Sequence, residues 1–251
     1  KTPIFFFFFH IFKVNGNTKE REKMKVFNVD LDNSPLMNAM LEFDKALKEK
    51  GIPSFDLNVV GGFALIVKGL RQNVDQVTDV DYIGPSLNSE LKGIADSIGI
   101  KYGIGKGWIN NDLMLTGTTL EDIEYATGPL HFSDELSLSV IRLKFLDERD
   151  LLRMKLISLD TSLMAIEFGG DFTRMKDFED LIRIKNHLNY DYIRMEEEAE
   201  GYLMSDSVFD AISAYEMNGA EGVLDFVKDM QSVAMKSAVS ELLIEDGDFT
   251  I

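Results

Sequence analysis

The sequence contains no cysteine, which excludes a disulfide framework, a thiolate metal site and a cysteine nucleophile. Histidine is scarce as well. His10, His131 and His187 are spaced too widely for any two to make a local metal-ligand pair. Long apolar runs are missing too. The run Ile4 to Phe9 is six residues, where a helix needs about 20 to span a bilayer. No clear small-residue cleavage site follows it, so it makes a poor signal peptide. Positive charge is in deficit. A net charge of −17 speaks against broad, non-specific binding to nucleic acid and against an anionic membrane as partner. No repeat of about 20–50 residues is visible.

What is present suffices for a sizeable core. With 45% hydrophobic and 27% charged residues, the chain reads as one large globular domain or a core plus an appendage. The lack of cysteine fits a cytoplasmic protein. The acidic excess is uneven. Met195 to Ile251 holds fourteen Asp and Glu against Lys228 and Lys236 alone, while Arg142 to Arg194 balances ten basic residues with ten acidic ones. A polyanion is therefore expected to approach that middle region and to avoid the C-terminal tail.

Two readings fit residues 1–23. One is a flexible leader. The other takes Lys19-Glu20-Arg21-Glu22-Lys23 as a purine-rich ribosome-binding site read in frame, with Phe5 to Phe9 a translated T-rich stretch and Met24 the natural start.

Apolar spacing supplies the elements. Ser34 to Lys50 reads as a helix, capped by Ser34, with Pro35 in the first turn and Leu36, Met40, Phe43 and Leu47 as its stripe. Leu57 to Val60 is a short strand running into Gly61-Gly62, and Phe63 to Lys68 a helical turn or two. Thr78 to Ile83 alternates as the next strand, and Leu87 to Ile98 is a helix closed by Gly99. Glycines 103, 105, 107 and 117 suggest turns between short strands. Asp122 to Thr127 and Leu136 to Ile141 are further strand candidates. After Asp147 the segments 150–163, 172–188, 192–203, 207–218 and 220–243 all read as helices. The expected class is α+β, with a mixed-sheet core over 24–146 and a helical region over 147–251.

One constellation carries chemistry. Side chains alternate along a strand, so Asp79 and Asp81 are expected on one face with Val80 and Tyr82 on the other. Two like charges so placed repel unless a cation lies between them, and carboxylate oxygens with substrate phosphates are what Mg²⁺ favours. A glycine pair between strand and helix clears side chains where phosphate must approach backbone N–H groups. Either half alone is common. The order strand, Gly-Gly, helix, then Asp-x-Asp is much more specific.

In these residues the chain resembles the nucleotidyltransferase superfamily of the DNA polymerase β fold. More narrowly, it resembles the branch that includes AbiE-type abortive-infection toxins and many uncharacterised bacterial proteins. The resemblance rests on Val60-Gly61-Gly62-Phe63-Ala64, Gly69-Leu70-Arg71 and Thr78-Asp79-Val80-Asp81, with extra residues between Arg71 and Thr78 that depart from the pattern. A later lysine in Leu151-Leu152-Arg153-Met154-Lys155-Leu156 and the acids of Lys176-Asp177-Phe178-Glu179-Asp180 continue it. It covers roughly Phe55 to Leu188.

The resemblance implies a polymerase-β-like core and Mg²⁺- or Mn²⁺-dependent transfer of NMP from an NTP. The acceptor would be RNA, protein or a small molecule, in a toxin–antitoxin or phage-defence setting with a cognate antitoxin. It implies Asp79 and Asp81 as metal ligands and catalytic acids, and Gly61, Gly62, Arg71 and Thr78 around the nucleotide. Lys155 would contact nucleotide phosphate, with Asp177 orienting it or assisting catalysis. Packing alone predicts that Lys155 and Asp177 pair as a helix–helix bridge. Glu124 is the first candidate for a third acid and Asp112 the second. Without one, the alternative is a degenerate nucleotide-binding module acting as a partner or regulator. Trp108 is expected as a packing anchor, His187 as a surface residue, the methionines of the C-terminal helices as core filler, and Glu196-Glu197-Glu198 as a solvated face.

Overall fold

The computed structural model describes residues 25–26, 29–30, 34–71, 77–112, 124, 128–167, 172, 174–199 and 205–245. The chain is α+β and divides into two compact units at Asp147/Glu148.

In the first unit, β1 (Lys25–Val26) and β2 (Val29–Asp30) form a small antiparallel ladder. Helix α1 (Pro35–Glu49) begins where expected: Met37 N–H donates to Ser34 Oγ at 3.4 Å, and Pro35 lacks a donor that the first turn would leave unpaired. Its buried stripe is Leu36, Met37, Ala39, Met40, Phe43 and Leu47, with one carboxylate among them, Asp44.

The sheet runs β5-β4-β3-β7-β6, with β3 (Phe55–Val60) central. Strand β4 (Val80–Ile83) pairs antiparallel with β3 and parallel with β5 (Ile109–Asn110). Strand β7 (Ile141–Leu146) lies parallel to β3, and β6 (Phe132–Ser137) antiparallel to β7 with a bulge between Phe132 and Asp134. The sheet is mixed.

Its two faces follow from alternation. Leu57, Val59, Val80, Tyr82, Ile109, Leu143 and Phe145 share one face and are buried. Helices α2 (Gly61–Val67) and α3 (Ser89–Lys101), with α1, belong to this core. Phe63 meets Phe145 edge-on at 5.9 Å, and Phe43 meets Trp108 at 6.2 Å. Trp108 is the packing anchor the sequence implied, its indole N–H donating to Ala95 O at 2.6 Å. The other face carries Asp56, Asn58, Asp81, Asn110, Arg142, Lys144 and Glu135.

Four expectations need correcting here. Leu136 to Ile141 is not one strand: Leu136 and Ser137 end β6, Ile141 begins β7, and 138–140 turn between them. Asp44 causes this: its carboxylate accepts the N–H groups of Ser139 (2.9 Å), Val140 (2.7 Å) and Ile141 (2.8 Å), pinning a turn where leucine and serine alternate. Gly99 does not close α3. It lies inside the helix because the Gly105–Trp108 loop packs onto it, and a Cβ there would stand 2.0 Å from Gly105 O. Strand β4 starts at Val80, so Thr78 and Asp79 precede it. Glu124 is helical, not extended; the remainder of 122–127 and Gly117 lie outside the described residues.

In the second unit, α4 (Glu148–Glu167), α5 (Met175–Leu188), α6 (Tyr192–Ala199) and α7 (Asp206–Glu245) pack around Leu152, Leu156, Leu159, Leu163, Phe178, Leu181 and Ile212. Helix α7 is interrupted at Gly219 (φ 61°), where the sequence suggested a break. Phe178 stacks on Tyr215 with centroids 5.4 Å apart. Burial, then the Glu216 carboxylate that accepts its hydroxyl, pushes Tyr192 up to about 12, and Lys185 sits 4.7 Å over its ring. The methionines divide. Met195 is core, whereas Met217 and Met235 are more than 70% exposed, because they fall on the outer side of α7. No described helix is long and apolar enough to cross a membrane.

Candidate functional site

Strand β3 delivers the chain to Gly61 and β4 brings Asp81 back beside it, since Val60 and Asp81 are direct partners in the antiparallel ladder. Gly61 has φ +67°, a conformation L side chains rarely adopt. A Cβ there would lie 2.5 Å from Asp81 Oδ2. The backbone conformation favours glycine, and a Cβ would also push the Asp81 carboxylate aside. Gly62 plays the corresponding part for a cation: a Cβ on it would lie 2.7 Å from an Arg71 guanidinium nitrogen. Leu65 O accepts the Arg71 N–H at 3.2 Å, which fixes that residue's backbone close after α2. The extra residues between Arg71 and Thr78 thus leave the arginine at the glycine pair.

Asp81 is half-buried, and Asp79 and Thr78 are exposed just before the strand. Among the described residues, no third histidine, aspartate or glutamate gathers with Asp79 and Asp81 within 4.8 Å. Glu124 accepts the Leu130 N–H at 3.3 Å, and Asp112 is exposed. The residue beside Asp81 on the neighbouring strand is Asn110.

In the second unit, Lys155 on α4 reaches two carboxylates of α5. It bonds Asp177 and lies 3.0 Å from Asp180. Its side chain is 13% exposed, and each acid only 1%. Ser158 Oγ donates to Asp177 at 3.3 Å, Arg174 stands 3.5 Å from Asp177, and Arg183 3.9 Å from Asp180. Packing predicts the pairing of Lys155 with Asp177; Asp180, named only as part of the same motif, is a second partner. The i, i+3 spacing of the two acids, which puts both on one helix face, was the available signal. His187 is exposed, as are Glu196 and Glu197, while Glu198 is half-buried and accepts from Tyr190 and Arg194.

A second charged group lies on the sheet face opposite Leu57 and Val59. Asp56 pairs with Arg142 and with Lys144, each at 2.6 Å. The Lys144 ammonium, opposed by burial and helped by Arg142, holds the Asp56 carboxyl below its ordinary range. A depressed carboxylate pKa adds stability above the unfolded value, near pH 4, and loses it as pH falls through the folded value. Asp56→Asn is therefore expected to flatten the acid side of the stability profile, leaving neutral and acid urea midpoints closer together than in the parent. A parallel shift at every pH would show that Asp56 does not titrate in this way.

No family model, curated protein or solved structure matches the chain.

Proposed function

We propose that the chain is a nucleotidyltransferase of polymerase-β-like type, moving NMP from an NTP to an acceptor hydroxyl and releasing pyrophosphate. The observation that carries this reading is the fit of Asp81 against Gly61, a glycine that no other residue can replace without displacing the carboxylate. A glycine there leaves room for phosphate to approach backbone N–H groups beside a carboxylate able to hold a hard cation.

Asp79 and Asp81 would hold Mg²⁺, which would join them to the phosphates and offset developing negative charge. Gly61 and Gly62 keep the approach free of side chains, and Arg71, at Gly62, supplies a fixed positive charge for the triphosphate. The resemblance gives Lys155 to phosphate; within its own unit it is held by Asp177 and Asp180. RNA, protein and small molecules remain the acceptor classes, with an antitoxin as protein partner.

The test is incubation with Mg²⁺ and each labelled NTP, with bulk RNA and protein, for transfer of label. Replacing Asp79 and Asp81 together by Asn is expected to abolish magnesium-dependent NTP binding and turnover with the fold intact, and removing two like charges can raise the melting temperature slightly. Unchanged binding in that variant would place the site elsewhere. A second reading is favoured by the lack of a third acid among the described residues: a degenerate module that binds nucleotide without turning it over. Magnesium-dependent binding without label transfer to any acceptor would select it.

A further inference from the structure

We propose that Asn218 is a site of spontaneous, one-way chemical modification. Its side-chain amide is lost to the Gly219 backbone nitrogen, and the product loosens the corner of α7.

The observations lie at one exposed turn. Asn218 precedes Gly219, so no side chain at 219 shields that nitrogen from the Asn218 carboxamide. Gly219 leaves the helix, with φ 61° and ψ −146°, and α7 is therefore two half-helices meeting at a corner. Asn218 is exposed at the end of the first half, beside exposed Met217 and Ala220. In mid-helix, turning ψ of Asn218 to bring nitrogen and side chain together would break the ladder on both sides. At a helix end the same rotation disturbs only the last turn, the part that opens most readily.

The step balances with water alone. The Gly219 nitrogen gives its proton to solvent and attacks Asn218 Cγ. The Cγ–Nδ2 bond breaks, ammonia leaves and a succinimide ring closes. Water then opens the ring. Attack at the side-chain carbonyl gives aspartate; attack at the main-chain carbonyl gives isoaspartate, whose main chain runs through Cβ and Cγ and is longer by one carbon.

The product matters because the corner is tight. A Cβ on Gly222 would strike the Ala214 carbonyl oxygen and stand 3.0 Å from Asn218 Cβ, so the half-helices touch through backbone here. A lengthened main chain cannot keep that contact unchanged. Either product also adds a negative charge at a helix C-terminus, between Glu216 and Glu221 in sequence, where the helix dipole disfavours it. The first half is anchored: Tyr215 stacks on Phe178, and Glu216 holds Lys185 at 2.6 Å and accepts the Tyr192 hydroxyl. The second half buries Val223 and Val227 but leaves Leu224, Val233 and Met235 exposed. It is the half that yields.

Peptide mapping of the full chain, incubated folded and in urea, tests the chemistry, and amide hydrogen exchange tests its effect. The folded chain is expected to gain aspartate and isoaspartate at Asn218 at a rate approaching that in urea, faster in mildly alkaline than in mildly acid buffer. Aged protein should exchange the amides of 220–236 severalfold faster than fresh protein. Asn218→Gln, which closes the larger ring far more slowly, should show neither change. Asn218→Asp should reproduce the effect of charge without the full loosening. Conversion in urea but none in the folded chain would overturn the proposal, because the helix would then hold the amide out of reach. Conversion with unaltered exchange over 220–236 would overturn the claim that the corner yields to it. Equal ageing of Asn218→Gln would assign the effect to another residue and remove Asn218 from it.

Discussion

Replacing Lys155 with methionine is expected to destabilise the second unit by about 3–5 kcal/mol, the usual cost of leaving a buried charge without its partner. Here two carboxylates are left, Asp177 and Asp180, each 1% exposed. Arg174 and Arg183 cannot take over fully. Their side chains are almost half exposed, at 46% and 45%, and their attraction is screened by water. Replacing all three residues with apolar ones of similar size should recover much of the loss, because a packed apolar cluster often equals a buried ion network. Chemical denaturation across the corresponding mutant cycle measures the coupling. Nucleotide titration beside it separates the two roles of the lysine. Strong coupling with unaltered NTP affinity makes Lys155 structural only. Loss of NTP affinity with little change in stability makes it a phosphate ligand.

Asp44→Ala should cost about 3–5 kcal/mol by orphaning hydrogen bonds to a charged acceptor. Val140 and Ile141 are buried, so their N–H groups find no water when the carboxylate is removed, whereas exposed Ser139 does. Asp44→Asn keeps one carbonyl oxygen and turns an amide donor towards another donor, so its loss should be intermediate. Urea unfolding of the three proteins gives the order parent, Asn, Ala. Equal midpoints for Ala and parent would mean the turn is held by its own strands.

These two clusters also mark what was legible in the sequence. The strand–Gly61-Gly62–helix–Asp81 unit could be read because each step is local: an apolar run, a glycine pair, then alternation over a few residues. The break at Gly219 was legible for the same reason. The turn at Ser139 was not, because the residue that fixes it lies 95 positions earlier on α1. Leu136 to Ile141 alternates as a strand would, and tertiary hydrogen bonds override that pattern. Gly99 misled in the opposite way. Glycine after an apolar stripe usually marks a helix end, but here it makes room for a returning loop. Lys68 shows a further limit. Its side chain is only 2% exposed and its ammonium meets Asp134 at 2.6 Å and Ser133 at 2.8 Å, a pairing across 66 residues that no local pattern encodes.

The borders of the sheet bear on solubility at high concentration. An extended strand at a sheet's margin offers unpaired backbone groups to any second chain, the starting point of ordered aggregation. In the described sheet one margin, β5, is two residues long. The other, β6, is bent by its bulge and carries Asp134 and Glu135 in mid-strand. Neither margin gives a flat apolar template, and the −17 net charge adds repulsion between copies. The parallel pairing of β3 with β7, slow to form because it joins distant segments, is thus flanked by strands unsuited to capturing a partly folded neighbour.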